Sequence, residues 1–194
     1  MGLRIDRKKD NRVIRAFTHK LADIPGGVTV CSADLTQKVL AEGTPIGKDS
    51  NGLYHVVKVA VLSATATATA TSYTVKKGHN FKVGDVIMLG AAKKAYAITA
   101  IATNADDATS DDLTVGTTLG LAGAVGDALY LGNSEVASAS KFKYEPVALV
   151  GESYDVESLN NHIVNAWTIG QIKEANIPVL GPEVKAKLTG IQFI

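Results

Sequence analysis

FKVGDVIMLG at residues 81–90 returns as AVGDALYLGN at 124–133, so Val-Gly-Asp, three residues and Leu-Gly occur twice, about forty residues apart. Each copy reads as a turn into a strand. Gly84 and Gly126 supply backbone angles that other residues adopt only at a cost, and the following carboxylate accepts from nearby backbone N–H groups. The apolar residues Val86, Ile87 and Leu89, or Ala128, Leu129 and Leu131, then enter a sheet, and Gly90 or Gly132 closes the strand.

Around these two phrases the pattern predicts short strands at about 72–76, 85–89, 95–103, 112–116 and 127–131, separated by KKGHN, GAAKK, NADDATSD and LGLAGAVG. Strands at this spacing with Gly-rich or polar turns point to a small barrel or sandwich. The block is flanked by two stretches of small residues, SATATATATS at 63–72 and SEVASAS at 134–140. The first reads either as a linker or as a strand with Thr on one face and Ala on the other. Matching junctions predict that residues 63–140 are a β module inserted into a discontinuous host domain, residues 25–62 and 141–194.

In the host, GTPIGKDSNGLYHVVKVAVL at 43–62 predicts two strands joined at 49–52, where Asn51-Gly52 signals a type I′ hairpin turn. Residues 33–42 read either as part of the strand pattern that begins at residue 28 or as a short helix capped by Ser32 or Asp34. FKYEPVALVGESYDV predicts a strand broken at Gly151, and NNHIVNAWTIGQI another. Pro182, Glu183, Lys185 and Lys187 predict a short C-terminal helix that Gly190 stops, with IQFI as a last strand.

Composition agrees with a mainly β protein. The 46% apolar content comes largely from Val, Ala, Leu and Ile, with 6% aromatic residues, a mix that suits strands more than a helical bundle. No apolar run approaches the roughly 18 residues of a membrane span; Lys58, Asp85 and Asp127 interrupt the longest ones. Neither a secretion signal nor a myristoylation site is expected at the N-terminus, where charge begins at Arg4 and Asp6 stands where Ser or Thr is required. Cys31 is the one cysteine, so no internal disulfide forms, and in VTVCSADL it reads as a small buried apolar residue.

Charge is concentrated at one end. Residues 1–20 carry seven basic and two acidic side chains, a net +5, which leaves −4 on the other 174 residues. Residues 1–24 show no clear period, end at Pro25-Gly26-Gly27, and read as a basic extended arm, either a docking segment that orders on a partner or an irregular solvated terminus. Arg4, Arg7, Lys8, Lys9, Arg12 and Arg15 are the candidate partner-binding residues, and an acidic protein surface is the partner expected. Nucleic acid is not expected, because the body is slightly acidic and only Phe17 interleaves with the charges.

Catalytic and ligand motifs fail one by one. Gly43-Thr44-Pro45-Ile46-Gly47-Lys48-Asp49 has three residues between its glycines where a phosphate loop needs four, and it precedes a hairpin instead of a helix. Gly116, Gly120, Gly123 and Gly126 lack dinucleotide spacing. Gly151-Glu152-Ser153-Tyr154-Asp155 has Asp where a nucleophile elbow needs Gly. His19, His55, His79 and His162 have no second ligand at helical or hairpin spacing, so no metal site is expected. Asp106, Asp107, Asp111 and Asp112 read as a solvated acidic turn. No catalytic residue, cofactor or metal ligand is assigned, and the chain is not expected to be an enzyme.

Three stretches carry a family resemblance: AEGTPIGKDSNGLYHVVK at 41–58, YEPVALVGESYDV at 144–156, and NAWTIGQIKEANIPVLGPEVKAKLTGIQFI at 165–194. Read together, they resemble the lambda-type head decoration proteins and head fibre proteins of tailed bacteriophages. Gly43, Thr44 and Gly47 match a first strand and hairpin, Ala148 and Leu149 a second strand, Gly170, Lys173, Glu174 and Ala175 a third, and Leu188 with Ile191 the ending. The resemblance covers somewhat under half of the chain. It implies a small β-rich decoration-type host domain with a short C-terminal helix, plus the inserted small β-barrel or sandwich. It further implies a non-enzymatic structural protein, made in the bacterial cytoplasm, that sits on the outer capsid surface of a phage or prophage virion. It would bind the major capsid protein as a homotrimer through its arm, with no membrane partner, and the module would project outward to a possible host surface ligand. The alternative from the residues is a cell-surface or carbohydrate-binding β module, which would need an exposed aromatic platform; Trp167, the one tryptophan, is expected to pack in the core. A small enzyme with a site assembled across the two domains is the third reading.

Overall fold

The two Val-Gly-Asp phrases fold alike and against each other. In the computed structural model, which describes residues 15–156 and 160–194, Lys82–Asp85 and Ala124–Asp127 are tight turns. Asp85 N–H donates to Lys82 O at 3.0 Å and Asp127 N–H to Ala124 O at 3.1 Å. The third turn position holds Gly84 at φ +92° and Gly126 at φ +97°, which only glycine adopts freely. Each aspartate then reaches back: Asp85 Oδ2 accepts from Lys82 N–H and Asp127 Oδ2 from Ala124 N–H, both at 2.8 Å. A Cβ at Gly84 or Gly126 would meet nothing within 4 Å. We therefore expect Gly84→Ala and Gly126→Ala each to cost about 1–2 kcal/mol in urea unfolding, from backbone strain alone.

The described residues are mainly β and hold, besides two 3-10 turns at Ser32–Asp34 and Glu174–Asn176, sixteen strands and one α-helix. In order they are β1 (Phe17–Asp23), β2 (Val28–Val30), β3 (Val39–Leu40), β4 (Pro45–Lys48), β5 (Tyr54–Val56), β6 (Val59–Val61), β7 (Ser72–Lys76), β8 (Val86–Leu89), β9 (Ala95–Thr103), β10 (Ser110–Val115), β11 (Ala128–Leu131), β12 (Ala148–Val150), β13 (Tyr154–Asp155), β14 (His162–Val164), β15 (Ala166–Ile172), α1 (Pro182–Lys187) and β16 (Ile191–Phe193).

Six strands form one sheet in the order β6-β11-β8-β9-β10-β7. It curls until its outer strands meet, where Leu62 pairs with Val75 and Ser63 N–H donates to Thr74 O at 2.9 Å. The repeated phrases are its centre: β8 and β11 run antiparallel with Met88 opposite Tyr130, equivalent positions of the two copies. A local twofold relation therefore passes between them, and the neighbours obey it. Gly84 N–H donates to Ile98 O and Ile98 N–H to Asp85 O, while Gly126 N–H donates to Leu62 O and Leu62 N–H to Asp127 O. Leu62 pairs with Val75, as Ile98 does with Val115. Tyr73 faces Leu113 across β7 and β10, so Tyr73-Thr74-Val75 corresponds to Leu113-Thr114-Val115. The sheet is two interleaved three-stranded units, β6-β7-β8 and β9-β10-β11.

This placement explains why the repeated strands are apolar without alternation. Ile87, Leu89, Leu129 and Leu131 point inside the curled sheet, with Tyr73, Phe81, Leu113 and Leu119. Met88, Ala128 and Tyr130 point outward into a second core, against Leu180, Val184 and Leu188 around α1. A third core lies under β2, β4, β12 and β15 and includes Val30, Leu40, Ile46, Val150 and Val164.

The other large sheet runs β1-β15-β12-β4-β5-β2-β14, with β16 parallel along β15. The β4–β5 hairpin falls where Asn51-Gly52 predicts it, but its turn is not type I′. Gly52 has φ +87° whereas Asn51 does not share the left-handed region, and Asp49 Oδ1 instead accepts from Asn51 and Leu53 N–H at 2.9 Å each. The side chain takes over the work of a second left-handed residue. Residues 33–42 resolve into a 3-10 turn at Ser32–Asp34 and the short β3. SATATATATS is mostly the connection from β6 to β7, pinned by mutual N–H donation between Ala66 and Gly123, and so is not a Thr-faced strand.

Phe17–Asp23, within the stretch read as an arm, is β1 along β15. Its period was hidden for a physical reason: Phe17 is its one buried residue, and its register against β15 slips at three places. Residues 1–14 lie outside the described residues.

Candidate functional site

Among the six basic candidates, Arg15 is described and exposed; Arg4, Arg7, Lys8, Lys9 and Arg12 lie outside the described residues. What the structure places is the root of that segment. Ala16 N–H donates to Glu42 Oε2 at 3.0 Å and Phe17 N–H to Glu42 Oε1 at 3.2 Å. Lys173 N–H donates to Ala16 O at 2.9 Å, and Asn176 Nδ2 to Arg15 O at 3.2 Å. Glu42 is 5% exposed, and its own N–H donates to Ser153 Oγ at 3.0 Å. A buried carboxylate is tolerated there because both oxygens accept. Nothing local in the sequence marks Glu42 as the clamp, since it acts 25 and 26 residues away.

The seventh basic residue of the segment is spent internally. Lys20 Nζ donates to Gly151 O at 2.8 Å and lies 5.5 Å and 5.4 Å from the ring centroids of Phe17 and Trp167. Trp167 is therefore covered by a cation and its Nε1 is buried, so it offers no open platform for a sugar ring. Leu21 on β1 and Ile169 on β15 are apolar and exposed, 69% and 45%.

A groove of about 370 Å³ runs between the two sheets, past Val57, Lys58, His79, Asn80 and Pro178. Lys58 is buried and its Nζ donates to Asp85 Oδ2 at 2.7 Å, so the turn carboxylate of the first phrase also neutralises a junction lysine. His79 Nδ1 accepts from Phe81 N–H at 3.2 Å. Burial pushes the His79 pKa below its usual value, against an opposing pull from Asp111. The folded protein thus keeps this imidazole neutral while the unfolded chain protonates it below about pH 6.5. Its contribution to stability is intact above that pH and is lost as pH falls toward the lower folded value. His79→Asn, whose side-chain oxygen can accept the same Phe81 N–H, should remove this part of the acid sensitivity in melts between pH 7 and 5.

The acidic turn is a structural device. Asp107 accepts from Thr109 Oγ1 and N–H and from Ser110 Oγ, which hold its carboxyl down at about 2. Asp112 takes donors from Thr74 and Asn104. Gly47, in the stretch that imitates a phosphate loop, is a close-approach glycine: a Cβ there would lie 2.2 Å from Glu145 O.

One chemical grouping was invisible to spacing. Cys31, Asp34 and His55 bring their sulfur, carboxylate and imidazole atoms within 4.8 Å of one another. Cys31 follows β2, and its N–H donates to Tyr54 O at 2.8 Å, which sets it beside His55 on β5. His55 Nδ1 lies 2.7 Å from Asp34 Oδ2 and its Nε2 3.6 Å from Asp49 Oδ2. The imidazole stacks on Tyr144 at 4.0 Å and 5°. Burial, then the charges of Asp34, Cys31 and Asp49, push the Tyr144 phenol up to about 12. Cys31 is half-buried, not the inert core residue its neighbours imply.

No helix among the described residues is long and apolar enough to cross a membrane. Comparison with protein families, with curated proteins and with solved structures finds no match.

Proposed function

We propose that this chain is a non-enzymatic structural protein that docks on the outer surface of a phage or prophage capsid through its basic N-terminal segment. In this reading three copies assemble on the major capsid protein, and the six-stranded unit is displayed outward. The observation that carries it is the clamped root: residues 1–14, with five basic and two acidic side chains and so a net +3, precede a fixed point held by Glu42, Lys173 and Asn176 at an outer strand of the large sheet. A charged segment tethered so firmly at one end brings its charge to a partner surface at a defined place, and three such tethers convert weak contacts into tight attachment. The exposed Leu21 and Ile169, farther along the β1–β15 edge, supply apolar surface for the same contact. The resemblance of residues 41–58, 144–156 and 165–194 to head decoration proteins supports the same reading.

Salt tests it. The Debye length shrinks from about 10 Å at 0.1 M to about 3 Å at 1 M, so cosedimentation with capsids should weaken steeply over that range. Replacing Arg4, Arg7, Lys8, Lys9 and Arg12 together by Gln should mimic high salt. Binding that ignores both changes would contradict docking by charge. Mass photometry should report three times the chain mass.

A further inference from the structure

We infer that Cys31, Asp34 and His55 form a binding site for a divalent d-block cation of zinc's chemistry, with the Asp49 carboxylate facing the imidazole nitrogen that the metal does not take. Thiolate, imidazole and carboxylate are the three side-chain donors zinc prefers, and three protein ligands leave a fourth position for water or another ligand. The donors come from three separate places: Cys31 at the end of β2, Asp34 in the 3-10 turn and His55 on β5. Tetrahedral bonds of about 2.0–2.3 Å set ligand atoms roughly 3.4–3.7 Å apart. The present set spans up to 4.8 Å, with Nδ1 and Oδ2 at 2.7 Å. Closing around an ion therefore takes side-chain rotation of about 1 Å, with Nδ1 giving up its contact to the carboxylate.

The surroundings match what a metal histidine requires. Such a histidine offers its second nitrogen to a carboxylate that fixes the tautomer and the ring. Asp49 stands at 3.6 Å from Nε2 and is itself oriented by Asn51 and Leu53 N–H. Tyr144 fixes the ring plane by stacking. The Asp34 turn is tied to the six-stranded unit, since Lys82 Nζ donates to Ala33 O at 2.5 Å. Asp34 and Asp49 set two carboxylates against one imidazole, and a dication bound there offsets their charge.

The test uses the full chain under reducing conditions with Co²⁺ as probe. One equivalent of Co²⁺ should produce a thiolate-to-cobalt charge-transfer band and the visible bands of a tetrahedral ion, and stoichiometric Zn²⁺ should abolish them. Cys31→Ser should lose the charge-transfer band, and His55→Asn and Asp34→Asn should lose tight binding. Asp49→Asn, which keeps the turn acceptor, should weaken affinity about 10–100-fold. Far-ultraviolet circular dichroism checks that each variant is folded. Independently of any variant, Zn²⁺ should slow alkylation of Cys31 in the unaltered protein. Absence of the cobalt bands, an alkylation rate indifferent to Zn²⁺, or metal affinity unchanged in His55→Asn would overturn the inference.

Discussion

Replacing Tyr130 by alanine should lower the unfolding free energy by about 3–5 kcal/mol, the range for deleting a large buried ring. Tyr130 is fully buried at the centre of the core that joins the six-stranded unit to α1. Its ring meets Phe142 edge-on at 5.3 Å and 73°, and its hydroxyl donates to the Glu183 carboxylate while accepting from Glu183 N–H at 3.4 Å. Burial and the Glu183 carboxylate both raise the Tyr130 pKa, so the phenol stays protonated and donating. Gly181 shows how tightly this contact is built: it sits at φ +70°, and a Cβ would lie 2.1 Å from the Tyr130 oxygen. Tyr130→Phe should keep the ring and lose about 1–2 kcal/mol, because Glu183 then lacks a buried donor. Urea titrations of both variants separate packing from hydrogen bonding, and a Tyr130→Ala loss below 1 kcal/mol would show that the two units do not depend on this core.

Glu42→Ala should cost about 2–4 kcal/mol, since the Ala16 and Phe17 N–H groups each lose a charge-assisted acceptor. The loss should be local as well as global. Hydrogen exchange at Phe17 should accelerate beyond what the drop in overall stability accounts for, because the clamp at Glu42 is what holds the start of β1. Glu42→Gln keeps one acceptor oxygen and should fall between the two. If Glu42→Ala left exchange at Phe17 unchanged, the fixed root would rest on Lys173 and Asn176 alone.

Turns and strands whose causes are local were legible before the structure. Gly84 and Gly126 announce their positive φ, Pro182 and the charges around it announce α1, and the apolar runs VIML and ALYL announce strands, which the fold then buries on both faces. The doubled phrase announced a repeat; its depth did not show, because Leu62 and Ile98, or Val75 and Val115, correspond through pairing and share no motif. The expected type I′ turn at Asn51-Gly52 failed because the Asp49 carboxylate is a competing acceptor, which propensity does not count. β1 was hidden because an outer strand with a slipping register and one buried residue has no period to read. The candidate sites were least legible. Glu42 acts on residues 25 and 26 positions away, and Cys31 meets His55 only because β2 and β5 lie side by side. Such sites are made by strand order, and strand order follows from packing over the whole chain.

The proposal stands or falls on the segment that precedes the clamp. The decisive measurement is cosedimentation with capsids of the phage or prophage to which the proposal assigns this chain, comparing the full chain with one lacking residues 2–14. That truncation ends before Arg15, so β1, the Glu42 clamp and the fold are retained. The proposal predicts that the full chain binds at 0.1 M salt and that the truncated chain, folded and equally oligomeric, stays in the supernatant. Binding of the truncated chain at full strength would contradict it.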